Sequence, residues 1–181
     1  MHCQPLALAG LQLLTPKRYE DERGFFLETF RQQDFVQHCG NYQLVQDNLS
    51  RSKQGVLRGL HYQWQRPQGK LIRVNSGTVF DVVVDLRRSS ATFGQWLGLY
   101  LHADQHQQLW VPPGFAHGFY VCSSAAEVQY KCTDYYRPGD EYCIHWQDPT
   151  LAIEWPCGDE TPLLSAKDQQ GILLSASPTF D

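Results

Sequence analysis

The chain has 181 residues and a formal net charge of −4, with 42% hydrophobic and 19% charged residues. This length predicts one globular domain over residues 1–181, and the absence of an overall basic field argues against nucleic acid as a partner. No apolar run approaches the roughly eighteen residues of a transmembrane helix, so we expect no membrane association. The opening segment MHCQPLALAGLQLL lacks the basic start of a secretion signal, which favours the cytoplasm. The six scattered cysteines contain no CxxC pair and are expected to be free thiols.

Turn signals recur along the chain, and short strand-like runs lie between them. This pattern, with fourteen Gly and ten Pro, predicts a mainly β fold: an antiparallel sandwich or barrel with a few short helices. The predicted elements in chain order are a helix at QQDFVQHC, strands at KLIRVNSG, TVFDVVVDL, WLGLYLH, GFYVCS and AEVQYKC, and a helix at SAKDQQG.

Residue alternation along these strands assigns faces. Phe80 and its alternate apolar neighbours lie opposite Asp81 and Asp85 in TVFDVVVDL. Tyr130 falls on the apolar, interior face of AEVQYKC. Lys70 shares the apolar face of KLIRVNSG, where a lysine is costly unless it is paired or functional.

The segment RGLHYQ holds a cation and an imidazole in a strand-like run. Arg58 and His61 differ in strand parity, so a regular strand does not aim both into one pocket. Either the strand is distorted at Gly59, or Arg58 reaches around an edge. His61 itself has three interpretations: a metal ligand, a proton-transfer base, or a structural strand histidine.

Several kinds of chemistry find little support. The chain lacks a two-histidine metal cluster in RGLHYQ, and His102 and His106 lie in a polar, loop-like stretch, so we expect no bound metal. It also lacks a G-x-S-x-G elbow, a dinucleotide fingerprint and a P-loop. We therefore expect no cofactor.

Acid–base chemistry remains, since His61, Lys70, Tyr130 and Asp168 are suitable types. Imidazole titrates near neutrality, a carboxylate can orient it, and an ammonium can stabilise an enolate oxygen. His61, Tyr130 and Asp168 also have structural explanations. Asp168, for example, fits a helix-capping position three residues after the predicted N-cap Ser165. From these residues alone, the chain is a β-domain with a possible enzymatic site.

Seven segments in register carry a resemblance that spans about residues 19–171. They are DERGFFLETF, QDNLSRSKQGVLRGLHYQ, QGKLIRVNSGTVFDVVVDLR, TFGQWLGLYL, QLWVPPGFAHGF, YKCTDYYRPGDE and PLLSAKDQQG. Together they resemble the dTDP-4-dehydrorhamnose 3,5-epimerase family. The resemblance implies a cupin-like jelly roll that works as a metal-independent homodimer. It further implies an isomerase that inverts carbons 3 and 5 of dTDP-4-dehydro-6-deoxy-D-glucose in dTDP-L-rhamnose biosynthesis.

By the same resemblance, His61 matches the base, Asp168 its partner, Tyr130 the proton donor and Lys70 the enolate-stabilising cation. Other positions match substrate-binding residues of the family: Arg23, Phe26, Glu28, Gln46, Asp47, Asn48, Arg58, His117, Glu141 and Lys167. Arg23 and Glu28 belong to a region that crosses to the neighbouring subunit in the family dimer.

Two alternatives remain open. One is an epimerase acting at a single carbon in another deoxysugar pathway, since the aromatic Tyr120 in HGFY is expected near the pocket. The other is a nucleotide-sugar-binding cupin without catalysis. The joint presence of His61, Asp168, Tyr130 and Lys70 argues against a pure binder.

Overall fold

The computed structural model describes all 181 residues as a mainly antiparallel β structure. Its thirteen strands are β1 (His2–Pro5), β2 (Gln12–Thr15), β3 (Arg18–Asp21), β4 (Gly24–Leu27), β5 (Gln46–Lys53), β6 (Leu57–Gln63), β7 (Lys70–Ser76), β8 (Thr78–Asp85), β9 (Trp96–His102), β10 (Gln108–Val111), β11 (Phe115–Val121), β12 (Ala125–Cys132) and β13 (Glu141–Cys143). Helix α1 (Gln32–Cys39) has the predicted bounds, and helix α2 (Ala166–Gln169) follows its predicted cap. Single turns of 3₁₀ helix cover residues 103–105, 138–140 and 174–176.

Two sheets face each other. The first has the order β1-β2-β10-β7-β12-β5 and the second the order β13-β6-β11-β8-β9, while β3 and β4 form a separate hairpin. Every pairing between named strands is antiparallel. The predicted sandwich is therefore confirmed. Neither helix has the length and apolar character needed to cross a membrane.

The core has three parts, because both sheets are also covered on the outside. The inner core lies between the sheets and contains Leu8, Leu11, Ile72, Val74, Val79, Val83, Leu101, Leu109, Val111, Phe115, Phe119, Val121, Ala126 and Val128. The outer cluster lies on the other face of the second sheet, where the segment 144–174 covers it; it includes Leu57, Leu60, Tyr62, Val82, Val84, Tyr120, Trp146 and Trp155. Helix α1 covers the outer face of the first sheet, where Phe35 of the helix packs with Leu71 of β7 and Trp110 of β10.

Strand β8 is buried on both of its faces. The predicted alternation is confirmed, since Val82 and Val84 belong to the outer cluster while Val79 and Val83 belong to the inner core. Asp81 shares the inner side and is fully buried. A buried carboxylate needs a partner, and this one hydrogen-bonds His117.

Strand β6 contains an extra residue, which answers the parity question raised by RGLHYQ. His61 pairs with His117 and Arg58 with Phe119, so three steps along β6 match two along β11. This is a β-bulge, and it turns Arg58 and His61 into one cavity. Gly59 occupies the bulge with φ of +126°, and its peptide bond to the next residue is cis.

Gly59 also makes a close approach to β11. A Cβ atom there would lie 2.5 Å from the Cα atom of Gly118 and 2.9 Å from the carbonyl oxygen of His117. Both are backbone atoms, which no side-chain rotation can move. The bulge therefore requires glycine for its conformation and for its space.

We expect Gly59→Ala to lower the free energy of unfolding by more than about 3 kcal/mol, because positive-φ strain adds to a backbone clash. Gly24→Ala is the matched control: Gly24 has φ of +120°, and a Cβ atom added there would have no neighbour within 4 Å. In that variant only strain of about 1–2 kcal/mol should appear. Urea unfolding of both variants measures the difference. Equal losses would show that the contact with Gly118 is unimportant.

Candidate active site

One cavity of about 340 Å³ opens between the two sheets. Its lining comes from six strands, from the loops that follow β6 and β12, and from helix α2: Gln46, Asn48, Ser50, Arg58, His61, Gln68, Lys70, His117, Phe119, Tyr130, Cys132, Tyr136, Glu141 and Lys167. Only four of these fourteen residues are hydrophobic. A polar cavity containing five basic side chains suits an anionic ligand.

His61 and Asp168 form a hydrogen-bonded pair. The His61 Nε2 atom lies 2.6 Å from Asp168 Oδ1, and the carboxylate is buried. With Asp168 ionised, Nε2 carries the hydrogen and Nδ1 is left as the acceptor nitrogen, an assignment made from the hydrogen bond. Desolvation lowers the pKa of His61, although Asp168 opposes this effect. The ring is therefore suited to accept a proton near neutral pH.

The Asp168 carboxylate has further donors. The Ser165 hydroxyl donates to Oδ2 at 2.7 Å, and the Gly59 N–H donates to Oδ1 at 3.3 Å. The Cys143 thiol approaches Oδ1 at 3.9 Å. Burial alone would raise the pKa of Asp168, but the hydrogen bonds from His61 and Ser165 outweigh it and hold that pKa below its ordinary value.

Lys70 and Tyr130 belong to the sheet opposite His61. Lys70 begins β7, and its Nζ atom lies 3.4 Å from the carbonyl oxygen of His61. Desolvation lowers the pKa of Lys70 and raises that of Tyr130, although the Arg58 guanidinium opposes the latter shift. The cavity thus has a candidate base on one wall and a hydroxyl that stays protonated on the facing wall.

His117 makes a second histidine–carboxylate pair beside the first. Its Nε2 atom lies 2.9 Å from Asp81 Oδ2, and both residues are buried. Asp81 is a functional candidate that sequence reasoning missed. The available signal was a carboxylate inside the apolar run TVFDVVVDL, which also contains Asp85.

The mouth of the cavity carries a charged cluster. The Lys167 ammonium and the Tyr136 hydroxyl both donate to the Glu141 carboxylate. Gln46 and Asn48 line the cavity from β5 and hydrogen-bond each other at 3.1 Å. Tyr136 was not predicted from the sequence. It is one of three tyrosines in YKCTDYYRPGDE, and nothing in that segment indicates that it lines a cavity.

Five sequence-predicted site residues do not line this cavity. One of them, Asp168, lies behind His61 and hydrogen-bonds it. Alternation along β5 turns Asp47 to the outer face, where it pairs with Lys131 at 2.8 Å, and its contact with substrate stays a prediction. Arg23, Phe26 and Glu28 lie on or just after the β3–β4 hairpin; the Arg23 side chain is 85% exposed and Phe26 is 70% exposed. Tyr120 lies in the outer cluster and not near the pocket, because it alternates with the cavity-lining Phe119.

His61, Cys143 and Asp168 bring three possible metal-ligand atoms within 4.8 Å of one another. The 2.6 Å separation of His61 Nε2 and Asp168 Oδ1 fits a hydrogen bond better than two ligands of one ion, which usually lie about 3 Å apart. Burial raises the pKa of Cys143 to about 12, which disfavours the thiolate that a metal requires. These residues fit a proton-transfer pair better than a metal centre.

We expect the His61 imidazole to titrate below its ordinary pKa of 6.5, because burial disfavours the imidazolium. Asp168→Asn should lower that pKa further, since it removes the charge that stabilises the protonated ring. NMR titration of the histidine rings measures both values. Asp47→Asn, which removes the same charge from the outer face, should leave the His61 titration unchanged. A His61 pKa that rises in Asp168→Asn would contradict this electrostatic account.

Comparisons with known proteins identify the family of this chain. The family model described as dTDP-4-dehydrorhamnose 3,5-epimerase matches residues 5–176. The chain is 54% identical to the dTDP-4-dehydrorhamnose 3,5-epimerase of Pseudomonas aeruginosa over 99% of both chains. It is 40% identical to a dTDP-4-dehydrorhamnose 3-epimerase of Streptomyces niveus, covering 97% of this chain and 84% of that one.

A solved structure is similar over most of its length. The dTDP-6-deoxy-D-glucose-3,5-epimerase of Legionella pneumophila, in complex with dTDP-4-keto-L-rhamnose, superimposes with a TM-score of 0.92 at 50% identity. The match covers 97% of this chain and 93% of that chain. This chain therefore belongs to the dTDP-4-dehydrorhamnose 3,5-epimerase family.

Proposed function

We propose that this chain inverts carbons 3 and 5 of dTDP-4-dehydro-6-deoxy-D-glucose to give dTDP-4-dehydro-L-rhamnose, as a step of dTDP-L-rhamnose biosynthesis. The observation that carries this proposal is the placement of the His61–Asp168 pair and Tyr130 on facing sheets of one cationic cavity. An epimerase needs a base on one face of the sugar and an acid on the other. The cavity provides both groups.

The carbons next to the ketone at carbon 4 lose a proton to form an enolate. His61 is the proposed base, because its Nδ1 atom is left as the acceptor when Nε2 donates to Asp168. The carboxylate stabilises the imidazolium that forms. Reprotonation from the opposite face completes the inversion.

Lys70 is the proposed partner of the enolate oxygen. Its ammonium lies in a desolvated position, where a charge acts more strongly on a developing anion than it does in water. The same burial accounts for its position on an apolar strand face. No cofactor is required for this chemistry.

Tyr130 is the proposed proton donor from the facing sheet. Desolvation raises its pKa, so the hydroxyl holds its proton at neutral pH. Register pairs Tyr130 with Asn48 on one side and Ile72 on the other, which places it in the interior of the first sheet. Its ring packs against the inner core, and this fixes the direction of the hydroxyl.

The nucleotide diphosphate is proposed to bind along the cations of the cavity. Arg58 can contact phosphate oxygens in bidentate fashion, while Lys167 acts as a point charge. His117 is held in place by Asp81. Gln46, Asn48 and Glu141 supply hydrogen-bonding groups, and the half-exposed Tyr136 ring supplies an aromatic wall for the base.

The β3–β4 hairpin is proposed to complete this binding site in a second subunit of a homodimer. Arg23, Phe26 and Glu28 match substrate-binding positions of the family, yet they are absent from the cavity lining of their own chain. The hairpin exposes Tyr19, Phe25 and Phe26. An exposed aromatic surface of this kind is typical of an interface.

The activity is tested by incubation with dTDP-4-dehydro-6-deoxyglucose in deuterated water, followed by NMR. We expect deuterium at both carbons 3 and 5. His61→Asn should slow exchange by about a thousandfold while dTDP binding is retained, because it removes the base but not the cations. His38→Asn, on helix α1 and outside the cavity, is the control. Normal exchange in His61→Asn would exclude His61 as the base, and no exchange in the folded wild type would exclude the proposed activity.

The shared site is tested by mixing inactive variants. We expect His61→Asn and Arg23→Ala to be weakly active alone, and to regain about a quarter of wild-type activity after subunit exchange, because each hybrid dimer contains one intact site. Activity is measured on the exchanged mixture and on an unexchanged one. No recovery in hybrids whose formation is verified would place Arg23 outside the neighbouring site.

Epimerisation at one carbon is the second candidate function. It is supported by the 40% identity between this chain and a relative named as a 3-epimerase. The same deuterium experiment distinguishes the two. Label at one carbon only, with full turnover, would assign this chain to the single-centre reaction. Tyr130→Phe bears on the same question, since loss of the donor can permit exchange without inversion.

A further inference from the structure

The Asp168 carboxylate is held by a hydroxyl that lies outside the cavity. Ser165 is the N-cap of helix α2, and its side-chain oxygen accepts a hydrogen bond from the Asp168 N–H at 3.1 Å. The same hydroxyl donates to Asp168 Oδ2 at 2.7 Å. Because an ionised carboxylate can only accept, the hydroxyl hydrogen is directed at Oδ2.

This arrangement divides the two carboxylate oxygens between different partners. Oδ2 receives the Ser165 hydroxyl, while Oδ1 receives His61, the Gly59 N–H and, more weakly, the Cys143 thiol. A carboxylate rotates about its Cβ–Cγ bond unless both oxygens are held. Ser165 is the only side chain bonded to Oδ2, so it opposes the rotation that would turn Oδ1 away from His61.

We propose that Ser165 is a positioning residue for proton abstraction: its hydroxyl orients Asp168, and Asp168 in turn orients His61 and stabilises its protonated form. This inference rests on the proposed role of His61 as the base. Ser165 does not line the cavity and therefore does not touch the substrate. Helix capping and catalysis share one side chain here.

Other titratable or charged groups also lie around His61, and any test must leave them unchanged. They are Lys70 on β7, Lys167 on α2, Arg58 on β6, His117 on β11, Tyr130 on β12, and Cys143 and Glu141 on β13. None of these hydrogen-bonds Ser165. Substitution of Ser165 therefore acts on His61 through Asp168.

Ser165→Gly and Ser165→Thr form a matched pair. Glycine removes the hydroxyl but is tolerated at a helix N-cap, whereas threonine keeps both the cap and the donor. We expect Ser165→Gly to reduce kcat roughly tenfold with little change in KM, in the range usual for loss of an outer partner of a functional histidine. Ser165→Thr should remain within about twofold of the wild type.

The pH profile separates positioning from simple destabilisation. In Ser165→Gly, Asp168 should stabilise the imidazolium of His61 less, which lowers the pKa of His61. The acid limb of the pH profile of kcat should therefore move to lower pH, and the maximum value of kcat should fall. NMR titration of His61 must show the same direction, and this readout does not depend on turnover. It therefore distinguishes failure of this inference from failure of the proposed activity.

A double-mutant cycle with Asp168→Asn completes the test. If Ser165 acts through Asp168, adding Ser165→Gly to Asp168→Asn should cause little further loss of kcat. A further tenfold loss, an unchanged His61 titration in Ser165→Gly, or equal losses in the Gly and Thr variants would overturn the proposal.

Discussion

The geometry of the site depends on one extra residue in strand β6. At Gly59 the strand advances three residues while β11 advances two, and this brings Arg58 and His61 to the same side. Leu60 can then remain in the outer cluster. The Gly59 N–H also donates to Asp168. The bulge thus sets the direction of the proposed base, His61, and contributes a hydrogen bond to its carboxylate partner.

A second constraint is the covering of both faces of the second sheet. The segment 144–174 packs on the outer face, and its short helix α2 delivers Asp168 to the back of β6. A layer that buries apolar area therefore also supplies the carboxylate that hydrogen-bonds the proposed base. Since burial penalises charge, Asp168 is stable as an anion only because hydrogen bonds surround it.

The cavity concentrates cations around a desolvated interior. Lys70 and His61 come from facing sheets, and burial shifts the pKa of both downward. Asp81 and Asp168 lie behind the two histidines rather than in the open cavity. The free surface presented to a ligand is therefore basic, whereas the carboxylates that hold the histidines are screened from it. This arrangement suits an anionic sugar nucleotide.

Local patterns predicted much of this fold. Helix α1 and strand β9 have the predicted bounds. Alternation correctly placed Lys70 and Tyr130 on interior faces, because side-chain direction in a regular strand follows from parity alone. The same rule explains why Asp47 faces away from the cavity that Gln46 and Asn48 line. Reading QDN as one motif groups the three residues together and does not show this difference. Alternation assigned the two faces of β8 correctly, but it did not show that both faces are buried. Tyr120 alternates with the cavity-lining Phe119, and it is buried because the segment 144–174 packs over it.

The sequence by itself determined the strand-rich architecture, the interior lysine, the helix cap at Ser165 and the family to which the chain belongs. Only the tertiary structure decided that Arg58 and His61 share a cavity, because a bulge is defined by pairing with β11. The family resemblance named Asp168 as the partner of His61, but only the tertiary structure shows the contact between them across 107 positions of the chain. Contacts over such separations depend on how the sheets and their covering segments pack, and local periodicity carries no information about that packing.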